Sequence, residues 1–243
     1  MSVLSLVAQL SLLPLAAASP SDFDTDVLAT SQGQLKLTFI GHGTLMFQFD
    51  NKVIHVDPVG RYADYSKLPK ADVILVTHEH GDHLDKQAIS QVTKEGTALV
   101  ISTSCEGRLP GGLVMKNGDV KTIQGIRVEA VPAYNIVHTR GPGQPYHPKG
   151  AGNGYVLTFG DKRVYVAGDT EDVPELARLT DIDVAFLPMN LPFTMTPEMV
   201  AKAARAFKPR IVYPYHFGNT DTSALERLLS DFKETEVRVR KLQ

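Results

Sequence analysis

From Leu35 onward the chain repeats one design: a short apolar, β-branched run that stops at a polar residue suited to chemistry. "LKLTFI" stops at Gly41-His42 and "KVIHV" at Asp57-Pro58. "DVILVT" leads into His78, "RVEAVPA" into Tyr134-Asn135, "KRVYVAG" into Asp169, "DVAFLPM" into Asn190 and "RIVYPY" into His216. Runs of this length bounded by turn signals predict buried strands. Helical patterns fall between several of them, over residues 85–92, 173–179, 196–207 and 222–232. The third opens with Thr196 as N-cap and Pro197 at the first helical position. Strands alternating with helices predict an α/β layered domain. The consecutive runs "TLMFQF" and "KVIHV", joined by Asp50-Asn51, predict a hairpin and therefore mixed sheets. Ligands of open α/β sheets gather beyond the carboxyl ends of the strands, so the residues that close these runs predict one shared site.

Composition sets the outer limits. A chain of 243 residues with 43% hydrophobic residues, 21% charged residues and a net charge of −2 fits one substantial globular domain. No basic excess points to nucleic acid, and no sequence repeat of fixed period divides the chain. Residues 1–20 carry no charge and end in small residues, the pattern of a secretory signal peptide. Residues 21–34 then read as a linker and 35–243 as the domain. The expected location is outside the cytoplasm, in a periplasm or secreted, with no stable membrane insertion once the leader is removed. The single cysteine, Cys105, excludes an intrachain disulfide. A small packed residue is the preferred reading of it, ahead of a catalytic thiol.

"LVTHEHGDH", Leu75 to His83, places three of the eight histidines within six positions, with Asp82 among them. Neutral imidazoles and a carboxylate are the donors zinc takes. A catalytic zinc site keeps three protein ligands and an open position, and a two-metal site needs about twice as many. Asp169 and His216, each closing a strand in the manner of His78, are the candidates to complete such a set; Gly168 gives Asp169 room for close backbone approach. The stretch Asn135 to Gly154, rich in Gly and Pro, is too long for a simple connection and reads as a surface insertion or a lid. It carries His138 and His147.

"HEHGDH", preceded by "VIHVDP" and followed by "VYVAGDT" and "YPYHFG", resembles the H-x-H-x-D-H pattern of the metallo-β-lactamase-fold hydrolases. The turn Gly41-His42-Gly43-Thr44 is similar to that of the branch containing ascorbate-6-phosphate lactonase and N-acylphosphatidylethanolamine-hydrolysing phospholipase D. The resemblance spans about Leu35 to Phe232. It implies a four-layer αββα sandwich with two metals at one edge. His78 and His80 would bind the first, Asp82, His83 and His216 the second, and Asp169 would bridge them. Asp57 would organise the loop. Many members place a histidine after the "VPA" strand, where this chain has Tyr134 and Asn135. His147 is the preferred replacement; His138, Asn135 or a water are the alternatives.

The donor set suits two divalent ions, zinc first and manganese or iron(II) next. Iron-type redox members of the fold tend to carry Glu at the position of His80, which favours hydrolysis. The metals would bring the pKa of a bound water to about 7, giving a hydroxide to attack a small ester, lactone or phosphodiester. Asp82 or Asp169 would orient it; His42 and Asn190 are candidates to hydrogen-bond the substrate or an oxyanion, against structural roles, for His42 capping its turn and for Asn190 the preferred reading. Lys149 could bind an anionic substrate, with a solvated lysine as the default reading. The competing expectations are an iron-type oxidoreductase and a metal-binding module without turnover. The expected partner is a small molecule rather than nucleic acid.

Overall fold

A computed structural model describes residues 23–242; the apolar leader read over residues 1–20 lies outside them. The chain alternates between two patterns of pairing and does so twice. The strands β1 (Asp24–Thr30), β2 (Gly33–Gly41), β3 (Thr44–Phe49) and β4 (Lys52–Val56) pair antiparallel in order. Then β5 (Val73–Val76), β6 (Ala98–Ile101) and β7 (Leu113–Val114) add in parallel. A short ribbon, β10 (Thr139–Gly141) and β11 (Gln144–Pro145), stands apart from the sheets. The second sheet repeats the plan. β8 (Val120–Ile123), β9 (Ile126–Ala133), β12 (Gly152–Phe159) and β13 (Lys162–Val166) pair antiparallel. β14 (Val184–Pro188), β15 (Ile211–Tyr215) and β16 (Glu236–Val237) follow in parallel. The duplication is one of topology. Connection lengths differ between the halves, which is why the sequence shows no period.

Alternation within the strands assigns the layers. Leu75, Phe47, Phe39, Leu157, Phe186 and Tyr213 face one another between the sheets. Their strand neighbours face outward: Ile74 and Val76 pack with Ala88, Ile89 and Val92 of α1 (Lys86–Val92). Ala185 and Leu187 pack with Val200, Ala204 and Phe207 of α2 (Pro197–Phe207) and Leu225 of α3 (Thr222–Leu228). Three apolar layers between four layers of elements make an αββα sandwich: the residue pattern predicts the α/β layering and the resemblance implies the four layers.

The local signals have identifiable causes. Asp50 and Asn51 both adopt positive φ, 47° and 55°, the two-residue turn that matches the twist of a hairpin. Thr196 Oγ1 accepts the Met199 N–H at 3.2 Å, and α2 ends at Lys208 with φ 50°. Two helical expectations ran too long. Residues 173–179 form only a 3-10 helix, Pro174–Arg178, because Val173 and Leu179 are extended. α3 stops at Leu228, where Ser230 Oγ caps the Arg227 carbonyl at 2.8 Å.

The linker reading of residues 21–34 is corrected for residues 24–34: they form β1, its turn and the start of β2. β1 buries little, having charge and threonine on an edge, so it lacks the apolar signature of a strand. It is held instead from far along the chain. Arg240 donates to both Asp26 oxygens at 2.9 and 2.7 Å, and the Lys241 N–H donates to Asp24 at 2.8 Å.

Because β2, β4 and β5 run parallel within one sheet and β9, β13, β14 and β15 within the other, their carboxyl ends share one edge. There the sheets are stitched together. The His216 N–H donates to the His42 carbonyl at 3.0 Å, the Asn153 N–H to Thr77 at 2.9 Å, and the Tyr155 hydroxyl to Val76 at 3.0 Å.

His55 of β4 is fully buried, and burial holds its imidazole at about 4 despite the bond from Nε2 to the Pro69 carbonyl. The unfolded chain takes up the proton near 6.5, so stability is complete above that value and falls as pH drops through 6.5 toward 4. The loss approaches about 3 kcal/mol. Urea midpoints of chelator-treated protein between pH 7.5 and 4.5 should fall more steeply for wild type than for His55→Gln; equal slopes would remove His55 as the cause.

Candidate metal centre

Two groups of donors lie side by side at this edge: His78, His80, His147 and Asp169, and His42, Asp82, His83 and His216. The loop from His78 to His83 supplies half of them because it is pinned at both ends. Asp57, at φ 46° after β4, accepts from the Thr77 N–H, the Thr77 hydroxyl and His83 Nδ1 at 2.7, 2.7 and 2.8 Å. At the far end Asp85 caps α1 through the Gln87 N–H at 2.8 Å and accepts the Gly60 N–H at 2.9 Å. All of Asp57's side-chain hydrogen bonds go to Thr77 and His83, just before the loop and at its end, which fits the organising role.

In the first group His80 Nδ1 lies 3.1 Å from His78 Nε2 and 3.2 Å from His147 Nε2, and His147 Nε2 lies 3.3 Å from Asp169 Oδ2. In the second, Asp82 Oδ2 lies 3.2, 3.4 and 3.8 Å from the Nε2 atoms of His42, His216 and His83. Asp169 faces both: its Oδ1 is 3.3 Å from His83 Nε2 and its Oδ2 is 3.4 Å from His216 Nε2. Donors about 2.1 Å from one tetrahedral ion stand about 3.4 Å from each other, so the spacing fits a cation in each group. His83 Nε2, His216 Nε2 and Asp169 Oδ1 are buried without a hydrogen-bond partner, a cost that a bound cation would remove.

The electrostatics agree. Burial drives His78 well below the ordinary imidazole value, with His83 adding to it; burial and His147 lower His80. Neutral imidazoles are ready to ligate without releasing a proton. His83 goes the other way: burial opposes charge, but the carboxylates of Asp169 and Asp57 outweigh it and hold the ring well above its usual value. Burial would raise Asp169, yet the surrounding histidines, His216 and His83 foremost, hold it well below the carboxylate range. A proton on His83 stands where a metal's charge would serve the same carboxylates.

Two glycines are required by this packing. A Cβ on Gly168 (φ 64°) would come within 2.8 Å of the Asn153 carbonyl, and one on Gly43 within 2.7 Å of the His83 ring. Gly168 thus gives Asp169 the close approach expected of it.

The stretch from Asn135 to Gly154 is neither a loose insertion nor a free lid but a fastened arm. Glu171 accepts the N–H groups of Ile136, Val137 and His138 at 2.7 Å each and the Asn135 amide at 3.0 Å. Asn135 Oδ1 in turn lies 2.7 Å from His147 Nδ1 and accepts the His147 N–H at 2.8 Å. Of the three residues offered to complete the first group, then, His147 enters it, Asn135 orients His147, and His138 pairs with Glu171 at 2.8 Å. His42 stands within the second group rather than only beside it. Cys105 is fully buried in the α1 layer, and burial pushes its thiol up, so the catalytic-thiol alternative is set aside. Lys149 is engaged by Glu175 at 2.7 Å and by Tyr134, which removes it as a free anion ligand. Asn190 lines the cavity over the site, while its N–H is bound to Thr194. Glu171 is marked in the sequence only as an acid two residues after Asp169. Arg61 and Arg140 also line the cavity and carry no such mark.

Residues 36–216 match the beta-lactamase superfamily domain. UPF0173 metal-dependent hydrolases of Pelotomaculum thermopropionicum and a Geobacillus strain are 32% and 34% identical to the chain. Each alignment covers 75% of this chain, and they cover 84% and 85% of those relatives. The chain belongs to the beta-lactamase superfamily, as a metal-dependent hydrolase. More particularly, its relatives are of the UPF0173 type. The crystal structure of an assumed metal-dependent hydrolase from Parabacteroides distasonis superposes with a TM-score of 0.87 at 51% identity, covering 91% of this chain and 100% of that one. A metallo hydrolase of Ignicoccus hospitalis shares the fold at 22% identity, with a TM-score of 0.70 over 86% of this chain and 95% of that one.

Outer partners of metal-bound histidines typically contribute about 10–100-fold in metal affinity. Asn135→Ala should weaken zinc binding to the first group by about that factor and leave the second unchanged, as read by competition with a chromophoric chelator. Unchanged affinity at both would remove Asn135 as the residue that positions His147.

Proposed function

We propose that the protein is a dinuclear-metal hydrolase of a small ester, lactone or phosphodiester, with zinc as its ion. The observation that carries this is the sharing of Asp169 between two groups holding six histidines and two aspartates. Histidine-rich donors with two carboxylates suit zinc best.

His78, His80, His147 and Asp169 would hold one ion, and His42, Asp82, His83 and His216 the other. When bound, the pair supplies hydroxide at neutral pH and polarises the bond to be broken. Burial would raise Asp82, but its bonds with His216 and His42 hold it far below the carboxylate range. As a carboxylate at the edge of the second group, Asp82 would also orient the attacking water by accepting its hydrogen bond. The water oxygen bonds to the carbonyl carbon or phosphorus, the bond to the leaving oxygen breaks, and the water's proton ends on that oxygen. Asn190 and the arm bearing His147 bound the space where the leaving group departs.

The test is turnover of 4-nitrophenyl esters, thiolactones and bis(4-nitrophenyl) phosphate by stripped protein reloaded with zinc, manganese or iron(II). At least one class should be cleaved, with loss of activity on chelation and in His216→Ala. Activity that survives chelation, or no turnover with any ion, would contradict the proposal.

A further inference from the structure

The cavity above the two donor groups measures about 700 Å³. Tyr62, Phe193 and Leu242 give it apolar walls, and Arg61 and Arg140 line it as well. Its only carboxylates among the described residues are Asp82 and Asp169, both members of the donor groups. Neither arginine forms an ion pair with a carboxylate among the described residues. Arg61 lies by the Tyr62 ring at 6.0 Å, and that ring stacks on His42 of the second group. Arg140, on β10 of the arm, lies over the Tyr146 ring at 5.4 Å, and Tyr146 meets Phe193 edge-on at 5.1 Å. A guanidinium set on an aromatic face is held ready for a planar oxyanion.

Arg140 also has an unusual neighbour. Its Nη2 lies 3.3 Å from His80 Nε2, while His80 turns Nδ1 toward His78 and His147. Ligation through Nδ1 places the ring proton on Nε2. Arg140 and His80 then present two donors to each other. An oxyanion accepting from both satisfies the pair.

We propose that Arg140 and His80 Nε2–H form a subsite for a non-scissile carboxylate or phosphate of the substrate, with Arg61 as a second cation on the other donor group's side. On the hydrolase reading above, the substrate is a small ester, lactone or phosphodiester that carries an extra anionic group. Its apolar body packs against Phe193, Tyr62 and Leu242. Charge steers it to the cavity, and Arg140 fixes which end faces the metals.

The test has a binding arm and a turnover arm. Zinc-loaded wild type, Arg140→Gln, Arg140→Lys, Arg61→Gln and the remote control Arg178→Gln are titrated calorimetrically with 3-phenylpropionate, phenylphosphonate and uncharged 3-phenylpropanamide. Metal content is checked for each. The anions should bind wild type and the control alike, and bind Arg140→Gln about tenfold or more weakly at equal metal content. Arg61→Gln should show a smaller loss and Arg140→Lys partial retention, with the amide indifferent to all. The anion that loses more identifies carboxylate or phosphate as the group recognised. Unchanged anion affinity in Arg140→Gln would overturn the subsite, because the ions alone would then hold the anion; so would equal binding of the amide.

In the second arm, 4-nitrophenyl butyrate is compared with mono-4-nitrophenyl glutarate. Arg140→Gln should raise KM for the glutarate alone. If neither ester is cleaved while anion affinity still depends on Arg140, the subsite stands and the hydrolase reading is what suffers. If both are cleaved with no effect of Arg140 on either, the hydrolase reading stands and the subsite falls.

Discussion

Asp169 is the carboxylate on which the site depends. It is nearly fully buried, and its two oxygens lie within 3.4 Å of ring nitrogens from His83, His147 and His216. Those histidines come from a loop of the first sheet, from the arm, and from a strand end of the second sheet. A buried carboxylate with so few hydrogens to accept is costly unless positive charge stands beside it. The same group therefore demands cations and draws together the elements that would ligate them. Its placement requires Gly168 to run hard against Asn153 and Thr77, so the metal centre and the sheet-to-sheet contact are one constraint.

The scaffold around it works outward in short links. Asp57 holds Thr77 and His83, Asn135 holds His147, and Glu171 holds Asn135 together with three backbone N–H groups. Leu242 accepts the His42 N–H at 2.5 Å, and Arg240 fixes that tail to Asp26 of β1. Each link is a hydrogen bond or ion pair of ordinary strength. Asp57 and Asn135 thereby fix the orientation of the His83 and His147 rings, which is what a preorganised metal site needs. The arm is the part with a second use. By carrying both His147 and Arg140 it ties completion of the first donor group to the wall of the substrate cavity.

The sequence disclosed those parts of this design that are local. His78, His80, Asp82 and His83 are contiguous, and Asp169 and His216 close apolar runs, so composition and strand pattern singled them out. The α/β character followed from alternation, and the four layers from the resemblance. What stayed hidden is long-range. The choice of His147 over His138 or Asn135 is made by Glu171, more than thirty residues from the arm it fastens. The entry of His42 into the second group depends on the sheets meeting edge to edge. β1 looked like a linker because its stability comes from Arg240 rather than from apolar residues of its own. Arg61 and Arg140 carry no pattern at all, and only the shape of the cavity makes them informative.

The central claim is that one chain holds two ions joined through Asp169. The most direct measurement is metal content per chain by elemental analysis, on wild type and Asp169→Asn, after purification without chelator, loading with excess zinc and dialysis to remove unbound ion. The account predicts two zinc ions per wild-type chain and a loss at both groups in the variant. One ion or none in wild type, or two retained without the Asp169 carboxylate, would contradict it.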